Sequence, residues 1–371
     1  AADQHSHPAQ ESSVYQFSEQ SLQYQARLTA FMDEHIYPNE HRYEEQLASA
    51  EDRFAAVPLM DELKAKAREA GLWNLFVPPK LAEFCDHDGL TNFEYAPLAE
   101  IMGRVLWCPE VFNCNAPDTG NMEVFMKYGT PEQQAQWLTP LLNGEIRSSY
   151  AMTEPQVASS DATNVELRID RDGDEWVLNG RKWFITGAMY ERTQIFIVMG
   201  KSDPDNDNRH KQQSQVLVPR GTPGLKLIRP LTTLGYDDAP LGHAEIEFDN
   251  VRVPLDNMLL GEGRGFEIAQ GRLGPGRMHH CMRLIGATQR SLELACKRVT
   301  ERSTFGRTLS QHQSVREDIA KSFAEIEMMR MLVLKACHRM DEVGAADARD
   351  MIAAAKISVP LMAQTVIDRC M

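Results

Sequence analysis

Residues 150–161 read Y-A-M-T-E-P-Q-V-A-S-S-D, and two different sequence patterns meet at this stretch. Before it, apolar residues recur at the spacing of helices, and after it apolar and polar residues alternate as they do in strands. The hydroxyl groups of Thr153, Ser159 and Ser160 lie on either side of a rigid E-P step. On this string alone we favour a turn whose hydroxyls bond their own backbone, although the same groups suit a loop that holds a flat polar ligand.

Three zones of the chain follow from these patterns, namely residues 1–148, 149–258 and 259–371. In the first and third zones the apolar residues have helical spacing, and in the second they alternate over short stretches as in strands. We therefore expect a mainly α protein with a central β domain. Its parts would be an N-terminal helical domain, an antiparallel β barrel or sandwich, and a C-terminal helical bundle.

Local signals mark the ends of several elements. Thr91 stands three residues before Glu94, and Thr130 stands three residues before a glutamine, which in both cases predicts a capping box at the start of a helix. The dipeptides D-G at 172–173 and N-G at 179–180 are typical of tight turns between paired strands. Neither a P-loop nor a G-x-G-x-x-G motif occurs, so an ordinary dinucleotide-binding fold is not expected.

The composition narrows the class of protein. The 371 residues, of which 43% are hydrophobic and 25% charged, are typical of a globular protein with two or three domains. A formal net charge of -14 argues against nucleic acid or an anionic membrane as a partner, and no apolar run approaches the length that spans a bilayer. The 7 cysteines form no C-x-x-C pair, which favours a reducing compartment over disulfides or a zinc site.

Two downstream segments contain further candidate ligand-binding residues. In N-G-R-K-W-F-I-T-G-A, the side chains of Trp183, Phe184 and Thr186 could wall and hydrogen-bond a flat heterocycle, although a half-buried strand of aromatic residues is the common alternative. In E-R-S-T-F-G-R-T-L-S-Q-H-Q, Arg302 and Arg307 could bind phosphate and Gln313 a ribose or diphosphate. The alternative is a helix end whose arginines compensate the helix dipole.

The sequence does not predict a metal site. His279 and His280 are adjacent, so on a helix their side chains point to different faces, and no carboxylate lies at ligand spacing from them. The motifs G-x-S-x-G and H-E-x-x-H are also missing from the sequence, which argues against the common serine hydrolases and zinc proteases.

Four segments together resemble the acyl-CoA dehydrogenase family. They are Y-A-M-T-E-P-x-x-A-S-S-D, N-G-x-K-W-F-I-T, F-D-N-V-R-V-P-x-x-N-x-L-x-G-E-G-x-G-F and R-S-T-F-G-R-x-L-S-x-H-Q. Each is weak alone, but their order across three zones of the expected type is specific. The resemblance is strongest to a branch with T-E-P-x-V-A-S-S-D-A-T-N and L-G-P-G-R-M-H-H-C-M-R. It implies the family's fold, with an N-terminal helical domain, a middle β domain and a C-terminal four-helix domain.

The resemblance implies FAD-dependent α,β-dehydrogenation of an acyl-CoA thioester. In that chemistry a carboxylate removes the α-proton, the β-hydride passes to the flavin, and hydrogen bonds polarise the thioester carbonyl. An electron-transfer flavoprotein as acceptor and a homodimer or homotetramer are implied too. The location would be cytoplasmic in a bacterium and mitochondrial or peroxisomal in a eukaryote. An acyl-CoA oxidase, a flavin monooxygenase and a non-catalytic FAD- or CoA-binding scaffold remain open on the same fold.

The resemblance also implies which residues form the site. It places the loop at the start of the middle zone and the aromatic strand around the flavin ring, and it assigns Ser159 to an FAD phosphate or to the substrate. The segment around Arg302 would reach the adenine-diphosphate half of FAD in a neighbouring subunit, so full FAD binding would need an oligomer. Arg277 corresponds to a helix arginine near the catalytic centre. The cofactor-binding residues expected in this way are Tyr150, Met152, Thr153, Ser159, Phe184, Thr186, Arg302, Thr304, Phe305 and Gln313.

The chain departs from the family's pattern in three places. Phe184 stands where a tryptophan usually flanks the ring, which keeps the aromatic wall but loses the indole N–H donor. The commoner loop is T-E-P-G-x-G-S-D, whereas here Gln156 and Ala158 replace glycines and Ser160 adds a residue. The family's catalytic glutamate lies either on a final helix or at an earlier helical position, which in this chain is Gly276. We therefore expect the catalytic base to lie beyond Met371.

Overall fold

The computed structural model of the chain describes residues 15–371, and its first part is helical as expected. Residues 1–14 of the expected N-terminal domain lie outside the described residues. The helices of this part are α1 (Glu19–Phe31), α2 (Glu40–Ser49), α3 (Pro58–Glu69), α4 (Asn92–Gly103), α5 (Asp118–Tyr128), α6 (Pro131–Gln133) and α7 (Thr139–Leu142). A π-helical turn (Met32–Ile36) and a 3-10 turn (Tyr37–Asn39) join α1 to α2.

Both predicted capping boxes are confirmed. At the start of α4, the Thr91 hydroxyl accepts a hydrogen bond from the N–H of Glu94 at 3.2 Å, and the Glu94 carboxylate accepts one from the N–H of Thr91 at 3.1 Å. Thr130 and Gln133 make the same reciprocal bonds at the start of α6. These bonds satisfy backbone donors that a helix start leaves without a partner, which is why three-residue spacing alone predicts them.

The strands of the middle part form one sheet. They are β1 (Arg147–Ala151), β2 (Arg168–Asp172), β3 (Glu175–Thr186), β4 (Thr193–Lys201), β5 (Gln213–Pro219), β6 (Leu225–Leu231) and β7 (His243–Pro254). Their order is β1-β4-β2-β3-β7-β6, with β5 paired to β4. The expectation of a wholly antiparallel sheet is wrong for β1, which runs parallel to β4, and β2 also has one parallel pair with β4. The β2–β3 hairpin lies between β1 and β4 in sequence and supplies the long connection that a parallel pair needs.

One of the two predicted turns is confirmed and the other is wrong. The chain turns between β2 and β3 at residues 173–174, one residue further along than the predicted dipeptide, with Asp172 paired to Glu175. At 179–180 the chain does not turn, because β3 continues through both residues with a shift of register against β7. Gly180 is needed there for a different reason. It has φ +147°, and a Cβ would come within 2.9 Å of the Leu167 Cα on the neighbouring segment.

Three long helices dominate the C-terminal part. These are α8 (Gly265–Glu301), α9 (Gln313–Val343) and α10 (Arg349–Cys370), with a small hairpin of β8 (Ser303–Thr304) and β9 (Arg307–Thr308) after α8. Helix α8 packs against α9, α10 and also α4 of the N-terminal part. The contact with α4 is close, because a Cβ on Gly286 would overlap the carbonyl oxygen of Glu100. The N- and C-terminal helical parts therefore share one hydrophobic core.

Helix α10 bears on the expectation that no apolar run approaches the length that spans a bilayer. Its 22 residues have a window of mean hydropathy 1.3, so among the described residues it is long and apolar enough, by length and composition alone, to cross a membrane. A core helix meets the same criterion. Ile352, Ala355 and Val359 are buried, and α10 packs on both α8 and α9. This packing accounts for the buried apolar residues of the helix, whereas Ile357 and Leu361 are exposed.

A buried ionic network fixes the start of β1 to the helical part. Arg147 lies 2.8 Å from Glu110 and 2.5 Å from Asp118, and Lys64 lies 2.8 Å from the same Glu110 oxygen. Asp118 also accepts the N–H of Ser148 at 2.7 Å. Burial alone would raise the pKa of Glu110, but the two cations outweigh it and lower that pKa to about 2. The carboxylate is therefore ionised, and β1 enters the sheet from a fixed position.

Candidate functional site

The loop that follows β1 is bonded to β3, which brings two of the predicted segments together. The Thr153 hydroxyl donates to the carbonyl of Trp183 at 2.6 Å, and the N–H of Trp183 donates to the Thr153 carbonyl at 3.0 Å. Met152 and Thr153 therefore lie beside the W-F-I-T part of β3. The two stretches are 30 residues apart in sequence, and these bonds place them at one site.

Phe184 projects from this site in an unusual backbone conformation. Its φ is +49°, in the left-handed region, and the register of β3 against β7 shifts between Lys182 and Ile185. A phenylalanine in that region is strained, and such strain occurs where surrounding contacts hold the residue in place. The ring is 42% exposed, although it lies 5.1 Å from the ring of Trp183. An exposed aromatic face of this kind is available to cover a flat ligand.

Thr186 lies at the end of β3 and faces β7. Its hydroxyl is 3.1 Å from Nδ1 of His243, and Nε2 of His243 is 3.3 Å from a carboxylate oxygen of Asp238. The Thr186 carbonyl accepts a hydrogen bond from the Ser149 hydroxyl at 3.0 Å, which ties the end of β3 to β1. The Thr186 side chain therefore has a fixed direction at the edge of the site.

Tyr150 supports the site from β1. Its hydroxyl accepts from the Gln215 amide at 2.8 Å, and the guanidinium of Arg272 lies 4.1 Å from the centre of its ring. Burial raises the pKa of Tyr150 to about 12, although Arg272 and Gln215 oppose the shift. The phenol is therefore neutral at physiological pH, and it acts as a packing and hydrogen-bonding group.

The hydroxyl of Ser159 is used within the loop. It accepts the N–H of Glu154 at 2.8 Å and lies 3.3 Å from the carbonyls of Glu154 and Val157. The loop that begins with T-E-P is thus closed on itself. The prediction that Ser159 contacts an FAD phosphate or the substrate stays a prediction, while the extra residue Ser160 is exposed.

Arg277 and the residues around it lie on α8. Among residues 15–371 the Arg277 guanidinium has no hydrogen bond or ion pair, which leaves it available to a ligand. A Cβ at Gly276 would meet no atom within 4 Å.

Burial lowers the pKa of His279 to about 3, with Arg283 adding to the shift, and that of His280 to about 3 for the same reasons. Both imidazoles are therefore neutral, and no group of three metal-binding side chains occurs in the described part of the chain.

The second predicted segment lies far from this site within one subunit. Arg302 follows the end of α8, 30 residues after Arg272, which contacts Tyr150; at 1.5 Å per residue the helix separates them by about 45 Å. Phe305 has φ +50° and is 97% exposed, and the Gln313 side chain donates to Glu317 within its own helix. Arg302, Thr304, Phe305 and Gln313 are therefore not brought to the strands of their own chain. They can meet that site only in a second copy.

The residues present fit a flavin. An exposed Phe184 ring, the backbone of residues 152–153 and the Thr186 hydroxyl suit the flat, polar ring of FAD. On β5, where the Gln215 amide donates to Tyr150, the Gln215 side-chain oxygen and both amide atoms of Gln213 are buried without a hydrogen-bond partner within residues 15–371. Unpaired buried polar atoms are costly, so they indicate a bound group or water that satisfies them.

Sequence reasoning missed two residues that organise the site. Lys182 is fully buried, with its ammonium 2.8 Å from Glu154 and 2.7 Å from the carbonyl of Met152. Both glutamate oxygens also accept backbone N–H groups, from Glu166 at 2.7 Å and from Leu167 at 2.9 Å. The sequence did contain a signal for this pair, because a lysine stands in a strand of aromatic residues and a glutamate stands in the preceding loop.

Models of the acyl-CoA dehydrogenase family match almost the whole of this chain. The N-terminal domain model matches residues 18–145, the middle domain model residues 149–251 and the C-terminal domain model residues 263–371. The chain belongs to the acyl-CoA dehydrogenase family. The expected fold class is thereby confirmed, with a helical part on each side of a central β sheet.

Individual members of the family are similar along most of the chain. IBR3 of Arabidopsis thaliana, a probable acyl-CoA dehydrogenase, is 52% identical over 94% of this chain, which spans 44% of that protein. FadE2 of Mycobacterium tuberculosis, also a probable acyl-CoA dehydrogenase, is 48% identical over 96% of this chain and 86% of its own length. A solved structure from Mycobacterium abscessus, described as an acyl-CoA dehydrogenase, has a TM-score of 0.90 at 48% identity and covers 96% of this chain and 88% of that one. The chain thus spans less than half of the plant relative.

Proposed function

We propose that this protein binds FAD and dehydrogenates an acyl-CoA thioester between its α and β carbons, with an electron-transfer flavoprotein as the electron acceptor. The observation that carries the proposal is the bonding of Thr153 to Trp183, which brings the loop after β1 beside the exposed Phe184 ring. Membership of the family supports it. Bound FAD would supply a group that accepts the β-hydride of the substrate.

The residues of this chain would hold and orient the reactants. Phe184 would pack on the flat ring, and the backbone of residues 152–153 and the Thr186 hydroxyl would supply hydrogen bonds to its polar edge. Arg277, whose guanidinium lacks a partner within residues 15–371, would contact an anionic or polar part of the substrate. Ser159 remains assigned to an FAD phosphate or the substrate as part of this proposal.

A second copy of the chain is part of this proposal. Arg302 lies about 45 Å along α8 from Arg272, which contacts Tyr150, and Thr304, Phe305 and Gln313 follow after the end of that helix. A homodimer or homotetramer would place them on the cofactor bound by a neighbour. We expect Arg302→Ala to weaken FAD binding without changing the fold of the subunit, because Arg302 is exposed and its guanidinium has no partner within residues 15–371.

Anaerobic titration of the FAD-loaded protein with a series of acyl-CoA thioesters tests the proposal. We expect the flavin absorbance to bleach with at least one member of the series, because the flavin accepts the hydride, and to stay unchanged with free CoA. Mixing the reduced protein with air-saturated buffer then separates a dehydrogenase, which reoxidises slowly, from an oxidase or monooxygenase, which reoxidises fast. Stoichiometric FAD with no bleaching by any thioester would contradict the proposed activity.

A further inference from the structure

The side chain of Lys182 is fully buried in β3 and holds three segments together. Its ammonium donates to the carbonyl oxygen of Met152 at 2.7 Å and to the Glu154 carboxylate at 2.8 Å. The Glu154 carboxylate in turn accepts the N–H groups of Glu166 and Leu167. The loop after β1, the strand β3 and the segment leading to β2 are thus joined by one ion pair, in which the lysine side chain is 0% and the glutamate side chain 2% exposed.

We propose that Lys182 is a positioning residue for the cofactor: it fixes and polarises the Met152–Thr153 peptide that faces the flavin. This inference rests on the proposed function. The family resemblance and the site residues predicted from the sequence assign no role to Lys182 or to Glu154, and the ammonium itself is buried against the loop, where it bonds Met152 and Glu154.

Stability alone does not account for the ion pair between Lys182 and Glu154. Burial lowers the pKa of Lys182 to about 8, even though Glu154 opposes the shift, so desolvation outweighs the attraction within the pair. Replacing a buried ion pair by uncharged groups of similar volume is often neutral or stabilising. A hydrophobic side chain at position 182 would pack in the same place, but it would leave the Met152 carbonyl without its donor.

The bonds of Lys182 act both on the loop after β1 and on the end of β3. In the loop, donation from an ammonium to the Met152 oxygen polarises that peptide, which makes its N–H, on Thr153, a stronger donor. In β3, Lys182 stands two residues before Phe184, at the shift of register that turns the phenylalanine into the left-handed region. Anchoring of Lys182 and of Trp183 therefore keeps the strained Phe184 in place.

Two variants separate positioning from packing. Lys182→Met keeps the length of the side chain but leaves Glu154 as a buried, unpaired charge, and it can unfold the protein for that reason alone. The double variant Lys182→Met with Glu154→Gln removes both charges and keeps an acceptor oxygen for one of the two N–H groups, of Glu166 and Leu167, that the Glu154 carboxylate now accepts. Lys226→Met is the matched control, since Lys226 pairs with Glu247 and Asp249 at the exposed edge of the sheet.

FAD affinity and the shape of the flavin absorbance band are then measured for each folded protein, with thermal unfolding of the FAD-free form as the measure of stability. We expect the double variant to unfold within a few degrees of the parent and yet to bind FAD about tenfold to a hundredfold more weakly, with a shifted band, because a charged hydrogen bond to the loop is lost. Lys226→Met should match the parent in every respect.

The outcomes distinguish this inference from the proposed function. A double variant that binds FAD as tightly as the parent, with the same absorbance band, overturns the inference and leaves the proposed function standing. A parent protein that binds no FAD overturns the proposed function, and the inference with it. A double variant that loses FAD affinity only in proportion to its loss of stability also counts against positioning.

Discussion

The guanidinium carbon of Arg272 lies 4.1 Å from the centre of the Tyr150 ring, so the long helix α8 touches the strand that leads into the candidate site. The same guanidinium donates to the Asn121 side chain at 3.0 Å and lies near the carbonyl of Pro117. No carboxylate bonds it among the described residues, and burial lowers its pKa. Arg272 therefore joins α5, α8 and β1 through stacking and through hydrogen bonds to neutral acceptors.

Substitution of Arg272 should destabilise the protein and weaken FAD binding together. We expect Arg272→Lys to reduce the free energy of unfolding by about 2 kcal/mol, the upper range for a cation stacked on a ring away from water, because an ammonium lacks the flat stacking face. Chemical denaturation of the FAD-free protein checks this value. Arg264→Lys is the control, since Arg264 forms an exposed pair with Glu267. Equal effects of the two substitutions would contradict the role given to Arg272.

The network around Glu110 should be the most sensitive polar position in the N-terminal part. Glu110→Gln leaves Arg147 and Lys64 buried with one negative charge fewer, so we expect a loss of about 3–5 kcal/mol in the free energy of unfolding. Urea denaturation measures this loss. Glu62→Gln breaks only an exposed pair with Arg42 and should leave the unfolding free energy unchanged within error.

The same carboxylate predicts how stability depends on pH. The pKa of Glu110 is about 2 in the folded state, because Arg147 and Lys64 outweigh the effect of burial, against an ordinary value of 4.5. A lowered pKa means that the unfolded chain binds the proton first as the pH falls. The contribution of Glu110 is therefore complete above pH 4.5 and is lost as the pH falls towards 2. We expect the difference in unfolding free energy between the parent and Glu110→Gln to shrink over this range, and a constant difference would argue against it.

Two glycines of α8 should respond in opposite ways to alanine. A Cβ at Gly276 meets nothing within 4 Å, so Gly276→Ala should stabilise the protein by up to about 1 kcal/mol through helix propensity. A Cβ at Gly286 would overlap the Glu100 carbonyl, so Gly286→Ala should destabilise by about 1–3 kcal/mol through overpacking of α4 against α8. Thermal and chemical unfolding of the two variants, measured side by side, would show the sign of each change in the free energy of unfolding. Stabilisation by both would contradict the close packing of the two helices.

Local signals in the sequence predicted local features well. The capping boxes at Thr91 and Thr130 depend on residues three apart, and the turn between β2 and β3 depends on the dipeptide at 172–173. The sequence also predicted that Thr153 and Phe184 belong to one site, through the family resemblance. The structure adds the bonds that bring their segments together.

The local sequence pattern could not predict features that depend on contacts between residues far apart in the chain. The N-G pattern predicts a turn at Gly180. The actual reason for a glycine there is the close approach of Leu167 to its backbone, which exists only in the folded sheet. The parallel pairing of β1 with β4 likewise depends on the topology of the sheet and not on alternation within a strand. Lys182 and Glu154 are 28 residues apart, and only the folded chain shows that the two charges neutralise each other inside the protein.

A crystal structure of the protein with FAD is the most direct test of the central claim, which is that the loop after β1 and the end of β3 form the flavin site. We predict that the flavin ring lies in van der Waals contact with Phe184 and within hydrogen-bonding distance of the Met152–Thr153 backbone or the Thr186 hydroxyl. A flavin ring bound elsewhere, with the Phe184 ring still exposed to solvent, would contradict the account.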